Sequence, residues 1–149
     1  MEIIKPIETH YNGYRFRSRL EARWAIFFDK AGISYEYELE GFELRDYGYY
    51  LPDFWLPKFK CWVEIKPEYD DDETQKVMRC FADTIAPIIL FRGTPSLSWN
   101  GTIYCLDLTD SSGGSYENKI GFAFCHICKV ATLSFSDNDR RLLVGGREL

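Results

Sequence analysis

The chain has 149 residues, 46% of them hydrophobic and 28% charged, with a formal net charge of -5. This length allows one domain with a proper core but not two of ordinary size, so we expect one main domain plus an appendage. The negative charge argues against a protein that coats nucleic acid by bulk electrostatics, because that mode needs an excess of lysine and arginine. It does not exclude a site that meets phosphates through a divalent metal held by carboxylates.

Cysteine usage and the first residues bear on the compartment. There are five cysteines, an odd number, and the opening segment MEIIKPIETH has no apolar run of the length of a secretory signal. We therefore expect reduced thiols and a cytoplasmic protein. No segment reaches the roughly 18 apolar residues of a membrane span, so no membrane association is predicted.

The first clear element is an amphipathic helix that begins at Ser18 and stops at Gly32. Apolar residues follow it at helical intervals, with Leu20 and Trp24 among them. Ser18 followed by Glu21 also fits a capping box, in which the serine caps the helix and the glutamate reaches back to the serine amide.

Strands and a second helix follow. Residues 33–44 and 49–67 predict three strands, separated by turn formers at 45–48 and 56–58, because aromatic and β-branched residues alternate there with polar ones. A second helix is predicted from Asp70 to Pro87, and the apolar run 88–91 is typical of a buried strand. The order α-β-β-β-α-β predicts an α/β (α+β) fold with a mixed central sheet flanked by helices.

The C-terminal part has a weaker pattern. Residues 93–118 are rich in turn formers and contain one strand-like piece at 102–106, and GFAFCHICKVATLSF is typical of a hairpin that carries a CxxC knuckle. We therefore predict a main domain over residues 1–92 and a small β-rich appendage over residues 93–149.

Candidate catalytic residues lie on the second and third predicted strands. Asp53 can lie close to Glu64 if the two strands form a hairpin, and Glu64 and Lys66 project from one face because side chains alternate along a strand. Two carboxylates and a lysine on one patch suit phosphodiester cleavage, since Mg²⁺ takes oxygen ligands and keeps waters that leave room for phosphate and nucleophile. Lys66 could then orient or activate the water or neutralise charge in the transition state.

A structural alternative explains the same three residues. Asp53 and Glu64 could face solvent, with Lys66 as their salt partner. Trp62 shares the face of Glu64 and Lys66, however, and it is too bulky and apolar for a fully solvated face. Partly buried carboxylates beside a lysine are costly unless they are paired or bind a metal.

The pair Pro52-Asp53 followed by Glu64-Ile65-Lys66 resembles the signature of the PD-(D/E)XK nuclease superfamily, the restriction-endonuclease-like fold. The resemblance covers about residues 16–91 and includes the predicted element order. It implies a metal-dependent endonuclease that hydrolyses phosphodiester bonds in DNA, with Mg²⁺ or Mn²⁺ held by Asp53 and Glu64. Many members have a further acidic metal ligand in the first helix, which Glu21 would supply here.

Two interpretations of Glu21 remain open. A capping box explains a glutamate at this position without catalysis. A glutamate that reaches back to cap its own helix is poorly placed to bind a metal across a cleft, so the metal interpretation requires that the helix N-terminus points into the site.

Basic residues near the first helix are the predicted nucleic-acid contacts. Four arginines fall within nine positions, and such a cluster suits contacts with phosphates. We assign them and one polar residue of the second helix, which could touch the site or the substrate or be exposed, to nucleic-acid binding: Arg15, Arg17, Arg19, Arg23 and Gln75.

Cys125 and Cys128 form the second candidate site. One CxxC supplies two zinc ligands, whereas a closed structural Zn²⁺ site needs four, and no second knuckle is present. Reduced buried thiols are the alternative that the pattern favours.

Three classes of function therefore remain. The first is a DNA endonuclease, as a homodimer if it cuts both strands. The second is a nucleic-acid-binding protein that keeps a nuclease fold as a scaffold. The third is a subunit whose residues 93–149 dock on a larger recombination, transposition or defence complex, because no helix-turn-helix supplies sequence recognition.

Overall fold

The computed structural model describes residues 7–67, 71–96, 100–106, 115–124 and 130–135. The helices are α1 (Arg19–Ala31) and α2 (Asp72–Thr84). The strands in chain order are β1 (Thr9–Tyr11), β2 (Tyr14–Phe16), β3 (Glu36–Tyr37), β4 (Phe42–Leu44), β5 (Gly48–Tyr50), β6 (Phe54–Leu56), β7 (Cys61–Lys66), β8 (Ile88–Arg92), β9 (Gly101–Leu106), β10 (Ser115–Phe124) and β11 (Ala131–Phe135).

A seven-stranded mixed sheet in the order β11-β10-β9-β8-β7-β6-β3 forms the centre of the molecule. β7 and β8 are parallel, and every other neighbouring pair in the sheet is antiparallel. The parallel pair is joined through α2, as a parallel connection requires. This confirms the predicted α+β fold with a mixed sheet and flanking helices.

The two helices cover opposite faces of the sheet. Alternation along β7 and β8 sends Val63 and Ile89 into a core with α1, and sends Trp62 and Leu90 into a second core with α2. Each core takes the side chains from one side of the pleated strands. Because both sides of β7 and β8 are buried, their sequences are nearly continuous apolar runs.

Helix α1 begins and ends where the sequence indicates, whereas α2 ends at Thr84, before the predicted stop at Pro87. Ser18 is the N-cap of α1, and Gly32 follows it in the left-handed region with φ 71. Only glycine adopts that conformation routinely, which explains why the helix stops there. Asp71 caps α2 by accepting a hydrogen bond from the Thr74 amide at 2.8 Å.

The segment between the helices contains five short strands where the sequence predicted three. The first predicted strand breaks after Tyr37, because Glu38 adopts φ 49 and its amide donates to the Asp53 carbonyl oxygen at 2.9 Å. β4 and β5 then pair only with each other, as a separate two-stranded sheet.

The described strands of residues 93–149 extend the central sheet. β9 pairs with β8, β10 pairs with β9, and β11 pairs with β10. Ile103, Phe122 and Leu133 lie in the same core as α1. The predicted division at residue 92 therefore falls between two hydrogen-bonded strands of one sheet. The predicted hairpin of GFAFCHICKVATLSF is present as β10 and β11.

Neither described helix has the length and apolar character that a membrane span requires.

Candidate active site

Strand β7 positions the first two candidate residues. Glu64 is 8% exposed and lies on the face of Trp62, which is 6% exposed. Lys66 follows on the same face, and its Nζ lies 3.7 Å from Glu64 Oε2. The expectation that the bulky Trp62 takes this face out of solvent is confirmed.

Asp53 joins this pair from the residue before β6. Its Oδ2 accepts a hydrogen bond from the Ile65 amide at 2.7 Å. Its carboxyl group is also within hydrogen-bonding reach of Glu64. The sheet therefore brings Asp53 and Glu64 together by the hairpin of β6 and β7, as the spacing predicted.

Glu21 reaches the same place from the first turn of α1. It is 7% exposed, and its carboxyl group is a hydrogen-bonding neighbour of Asp53. It accepts hydrogen bonds from Ser18 Oγ at 2.8 Å and from Tyr37 Oη at 3.2 Å. The N-terminus of α1 thus points toward the site.

The cap of α1 is half of a capping box. Ser18 Oγ accepts from the Glu21 amide at 3.1 Å. Among the described residues, the Ser18 amide donates no reciprocal hydrogen bond to the Glu21 carboxylate, which accepts from the Ser18 hydroxyl instead. Ser18 therefore caps the helix, while the Glu21 side chain turns toward Asp53.

Burial dominates the electrostatics of Asp53 and Glu64, and neighbouring carboxylates add repulsion. The pKa of Asp53 is raised well above its usual value, first by burial and then by the charges of Glu64 and Glu21. Burial also raises the pKa of Glu64, against the opposing influence of Lys66 and of the Tyr50 hydroxyl. One lysine thus faces three acidic groups, which leaves an excess of negative charge in a poorly solvated place.

Two tyrosines that the sequence analysis did not single out hold the cluster. Tyr50 Oη donates to Glu64 Oε1 at 2.9 Å, and Tyr37 Oη donates to Glu21. Burial raises the pKa of Tyr50 well above its usual value, with Glu64 adding to the shift, so the hydroxyl stays a donor. The available signal was the position of Tyr50 three residues before Asp53, on a strand that precedes the site.

The donor set fits a hard divalent cation. Buried carboxylates with unbalanced charge are the ligands that Mg²⁺ and Mn²⁺ prefer. In the part of the chain that is described, no group of three or more His, Cys, Asp or Glu side chains has the arrangement of an assembled metal site. Tyr50 and the Ile65 amide occupy Glu64 Oε1 and Asp53 Oδ2, so an ion would bind through the other oxygens in place of the contacts between the carboxyl groups and the Lys66 contact.

The predicted arginine cluster is divided by ion pairs. Arg17 binds Glu38 through two nitrogens, with Nε 2.8 Å and Nη2 3.1 Å from the carboxylate oxygens. Arg15 pairs with Glu8. Arg19 and Arg23 are exposed on α1 and take part in none of the ion pairs found among the described residues.

Gln75 lies in the first turn of α2 and is half-buried. Its Oε1 accepts a hydrogen bond from Arg79 Nη2 at 3.5 Å. Arg79 in turn pairs with Glu117 of β10. Gln75 is therefore part of a polar link between α2 and the sheet.

The predicted zinc ligands Cys125 and Cys128 lie outside the described residues. Cys61, Cys80 and Cys105 are present as thiols, and burial raises the pKa of Cys61 to about 12. These three agree with the expectation of reduced cysteines.

No protein-family model matches this chain, and no curated protein or solved structure matches it either.

Proposed function

We propose that the protein is a metal-dependent endonuclease that hydrolyses phosphodiester bonds in DNA, with Asp53, Glu64, Lys66 and Glu21 as its catalytic residues. One observation carries the proposal: three carboxylates and one lysine, separated by up to 45 positions in the chain, converge in a place from which water is largely excluded. A fold does not keep such a costly cluster by packing alone, because each buried charge needs compensation.

Asp53 and Glu64 would hold Mg²⁺ or Mn²⁺, with Glu21 as a third ligand. A bound divalent ion supplies Lewis acidity toward the phosphate and lowers the pKa of a bound water. Tyr50 fixes the orientation of Glu64 through its hydroxyl, and the Ile65 amide does the same for Asp53. These two contacts keep the carboxylate oxygens in place before any ligand arrives.

Lys66 has a long flexible cationic side chain close to Glu64. Its ammonium group is only partly buried, so it can turn between Glu64 and an incoming phosphate. In that position it would stabilise negative charge that develops on the phosphate oxygens, or hold the attacking water by a hydrogen bond.

The partner expected for cleavage is DNA. One site of this kind cuts one strand, so cleavage of both strands requires two copies, and a two-fold dimer matches antiparallel strands. Assembly on a larger recombination or defence complex is the other arrangement that we propose, since the described residues contain no helix-turn-helix element.

The direct test is incubation of the pure protein with supercoiled, linear and branched DNA, and with RNA, with and without Mg²⁺ or Mn²⁺. We expect nicking or cutting of DNA that a chelator abolishes. Glu64→Gln and Lys66→Met should each lower the rate by at least about a hundredfold, the scale of losing one preorganised charge-stabilising group.

Glu43→Gln is the matched control, because Glu43 is exposed on β4 outside the cluster. It should cleave at the wild-type rate. Inactivity of the folded wild type on all substrates with either metal would overturn the proposal. Equal rates for Glu64→Gln and wild type would also overturn it.

A further inference from the structure

The α2 face of the sheet carries further polar side chains beyond the carboxylate cluster, and the buried Leu90 separates them from Glu64. The cross-strand register sets Glu64 of β7 beside Leu90 of β8, Leu90 beside Thr102 of β9, and Thr102 beside Lys119 of β10. Neighbouring strands lie about 4.8 Å apart, so Lys119 stands roughly 14 Å from Glu64 along this row.

Arg92 lies one step further along β8, directly beside Lys66. Strand alternation puts its side chain on the same face as Leu90, and its Nη1 donates to Thr102 Oγ1 at 3.0 Å. Lys66, Arg92 and Lys119 therefore form a line of cations that leads away from the acidic cluster.

An open cleft of about 430 Å³ lies between Arg92 and Lys119, at the end of this line away from Lys66. Its lining includes two cations and three hydroxyl groups, from Arg92, Lys119, Thr94, Ser96 and Thr102. No carboxylate is among the described residues that line it. Glu117, the acidic residue nearest to Lys119 on this face of β10, is paired with Arg79.

The walls of the cleft are fixed by backbone contacts. Asn100 Nδ2 donates to the carbonyl oxygens of Arg92 at 3.1 Å and of Thr94 at 3.3 Å. The Arg92 amide donates to the Asn100 carbonyl oxygen at 3.1 Å. Gly101 packs so closely on the Phe91 ring that a Cβ there would lie 2.6 Å from a ring atom. The cleft is thus a preorganised feature of the β8 and β9 ends.

We propose that this cleft binds the sugar-phosphate backbone of the substrate strand next to the scissile bond, with Arg92 and Lys119 as its phosphate contacts. Cationic side chains and hydroxyl groups donate hydrogen bonds to phosphate oxygens, whereas carboxylates would repel them. The proposal rests on the proposed function, since the same strand would pass from the cleft to the carboxylate cluster. Continuity supports it: the Gly93 amide, at the cleft, donates to the Lys66 carbonyl oxygen at 2.9 Å.

The test is binding of short fluorescein-labelled single-stranded and duplex DNA in Ca²⁺, at several salt concentrations. Lys119→Gln should weaken binding roughly five- to tenfold near 0.1 M salt. The slope of log affinity against log salt concentration should also become shallower, by about 0.9 on duplex DNA or about 0.7 on single strands. This is the change expected for the loss of one phosphate contact. Arg92→Gln should do the same, and Lys119→Glu should weaken binding further. Inorganic phosphate at millimolar concentration should not displace the DNA.

Lys30→Gln is the matched control, because Lys30 is an exposed lysine in the last turn of α1, the helix that covers the other face. It should leave both affinity and salt dependence unchanged. Thermal melting of each variant shows whether a loss of DNA binding comes from unfolding. Lys119→Gln should unfold the protein least, because the Lys119 side chain is exposed.

The outcomes separate the cleft from the catalytic proposal. If the wild type cuts DNA while the Lys119 and Arg92 variants bind and cut like it, the cleft proposal is overturned and the nuclease stands. If binding shows the expected losses but nothing is cut with any metal, the cleft stands and the nuclease fails. Absence of DNA binding by the wild type, or displacement by inorganic phosphate alone, overturns the cleft.

Discussion

The two faces of the central sheet carry different kinds of side chain. The face under α1 is an aromatic core, in which Trp24 stacks on Phe91 with ring centroids 4.6 Å apart and Phe28 meets Phe54 edge to face at 5.3 Å. The face under α2 begins as a core around Trp62 and Phe81. Toward the ends of β7 and β8 it becomes polar.

This difference separates stability from function in space. The α1 face contributes Glu21, from the first turn of its helix, and Tyr37, which donates to Glu21, and its buried core is otherwise apolar. The α2 face holds Glu64 and Lys66 and, further along, Arg92 and Lys119. Substitutions under α1 should therefore act on folding, and substitutions on the polar part of the α2 face should act on binding and catalysis.

The largest effect is expected from Phe28→Ala. Phe28 is fully buried, and its ring contacts five other aromatic rings. Truncation removes this packing and leaves a cavity, so the free energy of unfolding should fall by about 3 to 5 kcal/mol. Urea denaturation followed by tryptophan fluorescence measures it.

Leu39→Ala is the control for Phe28→Ala, because Leu39 is large and apolar but 53% exposed. Its effect should stay within about 0.5 kcal/mol. A loss at Phe28 no larger than the loss at Leu39 would show that the α1 face is not the stabilising one.

Asp53→Asn should raise stability at neutral pH in the absence of metal. An unfolded aspartate loses its proton near pH 4, whereas burial beside Glu64 and Glu21 raises the pKa in the folded protein. Ionisation therefore opposes folding as pH rises above about 4, and the cost persists at pH 7. Replacing the carboxyl group by a neutral amide should therefore raise the free energy of unfolding at pH 7.

Melting curves in a chelator at pH 4 and pH 7 test this, with exposed Asp46→Asn as control. The advantage of Asp53→Asn over the wild type should be large at pH 7 and small at pH 4. Mg²⁺ should raise the melting temperature of the wild type and leave Asp53→Asn unchanged. An Asp53→Asn protein less stable than the wild type at pH 7 would contradict the proposed repulsion.

Local signals in the sequence predicted much of this arrangement. Ser18 and Gly32 mark the two ends of α1, and the two-residue alternation puts Glu64 and Lys66 on one face. These features depend on neighbours within a few residues, so one segment is enough to predict them. The hairpin at Asn12-Gly13 was also predictable but was missed: both residues have positive φ, 51 and 83, as a two-residue hairpin turn with Asn-Gly requires.

The rest depends on contacts between distant segments. Nothing local shows that Glu38 adopts a left-handed conformation, which divides a predicted strand, because the conformation is held by Asp53 and Arg17 from elsewhere in the chain. Tyr50 becomes a partner of Glu64 only when its own short hairpin folds over the sheet. The extension of the sheet by β9 to β11 likewise requires the pairing of β9 with β8.

Ser18→Ala and Glu21→Gln should have the smallest effects on stability. They also test whether the first turn of α1 serves capping or catalysis. Ser18→Ala removes the N-cap and should lower the free energy of unfolding by about 1 kcal/mol. Glu21→Gln keeps the shape and one of the two accepted hydrogen bonds, from Ser18 or from Tyr37, but removes a charge beside Asp53, so it should fold near normally and cleave far more slowly. Urea denaturation and nicking rates on supercoiled DNA measure the two.

The two variants distinguish capping from catalysis, because Ser18 accepts from a helix amide whereas the Glu21 side chain also contacts Asp53. If Glu21 acts through the helix alone, Glu21→Gln and Ser18→Ala should lose stability together and keep their nicking rates. If Glu21 acts through Asp53, only Glu21→Gln should lose nicking, and extra Mg²⁺ should partly restore it, since a site with one ligand charge fewer binds the ion more weakly. The first turn of α1 would then be the one part of the aromatic face that works in catalysis.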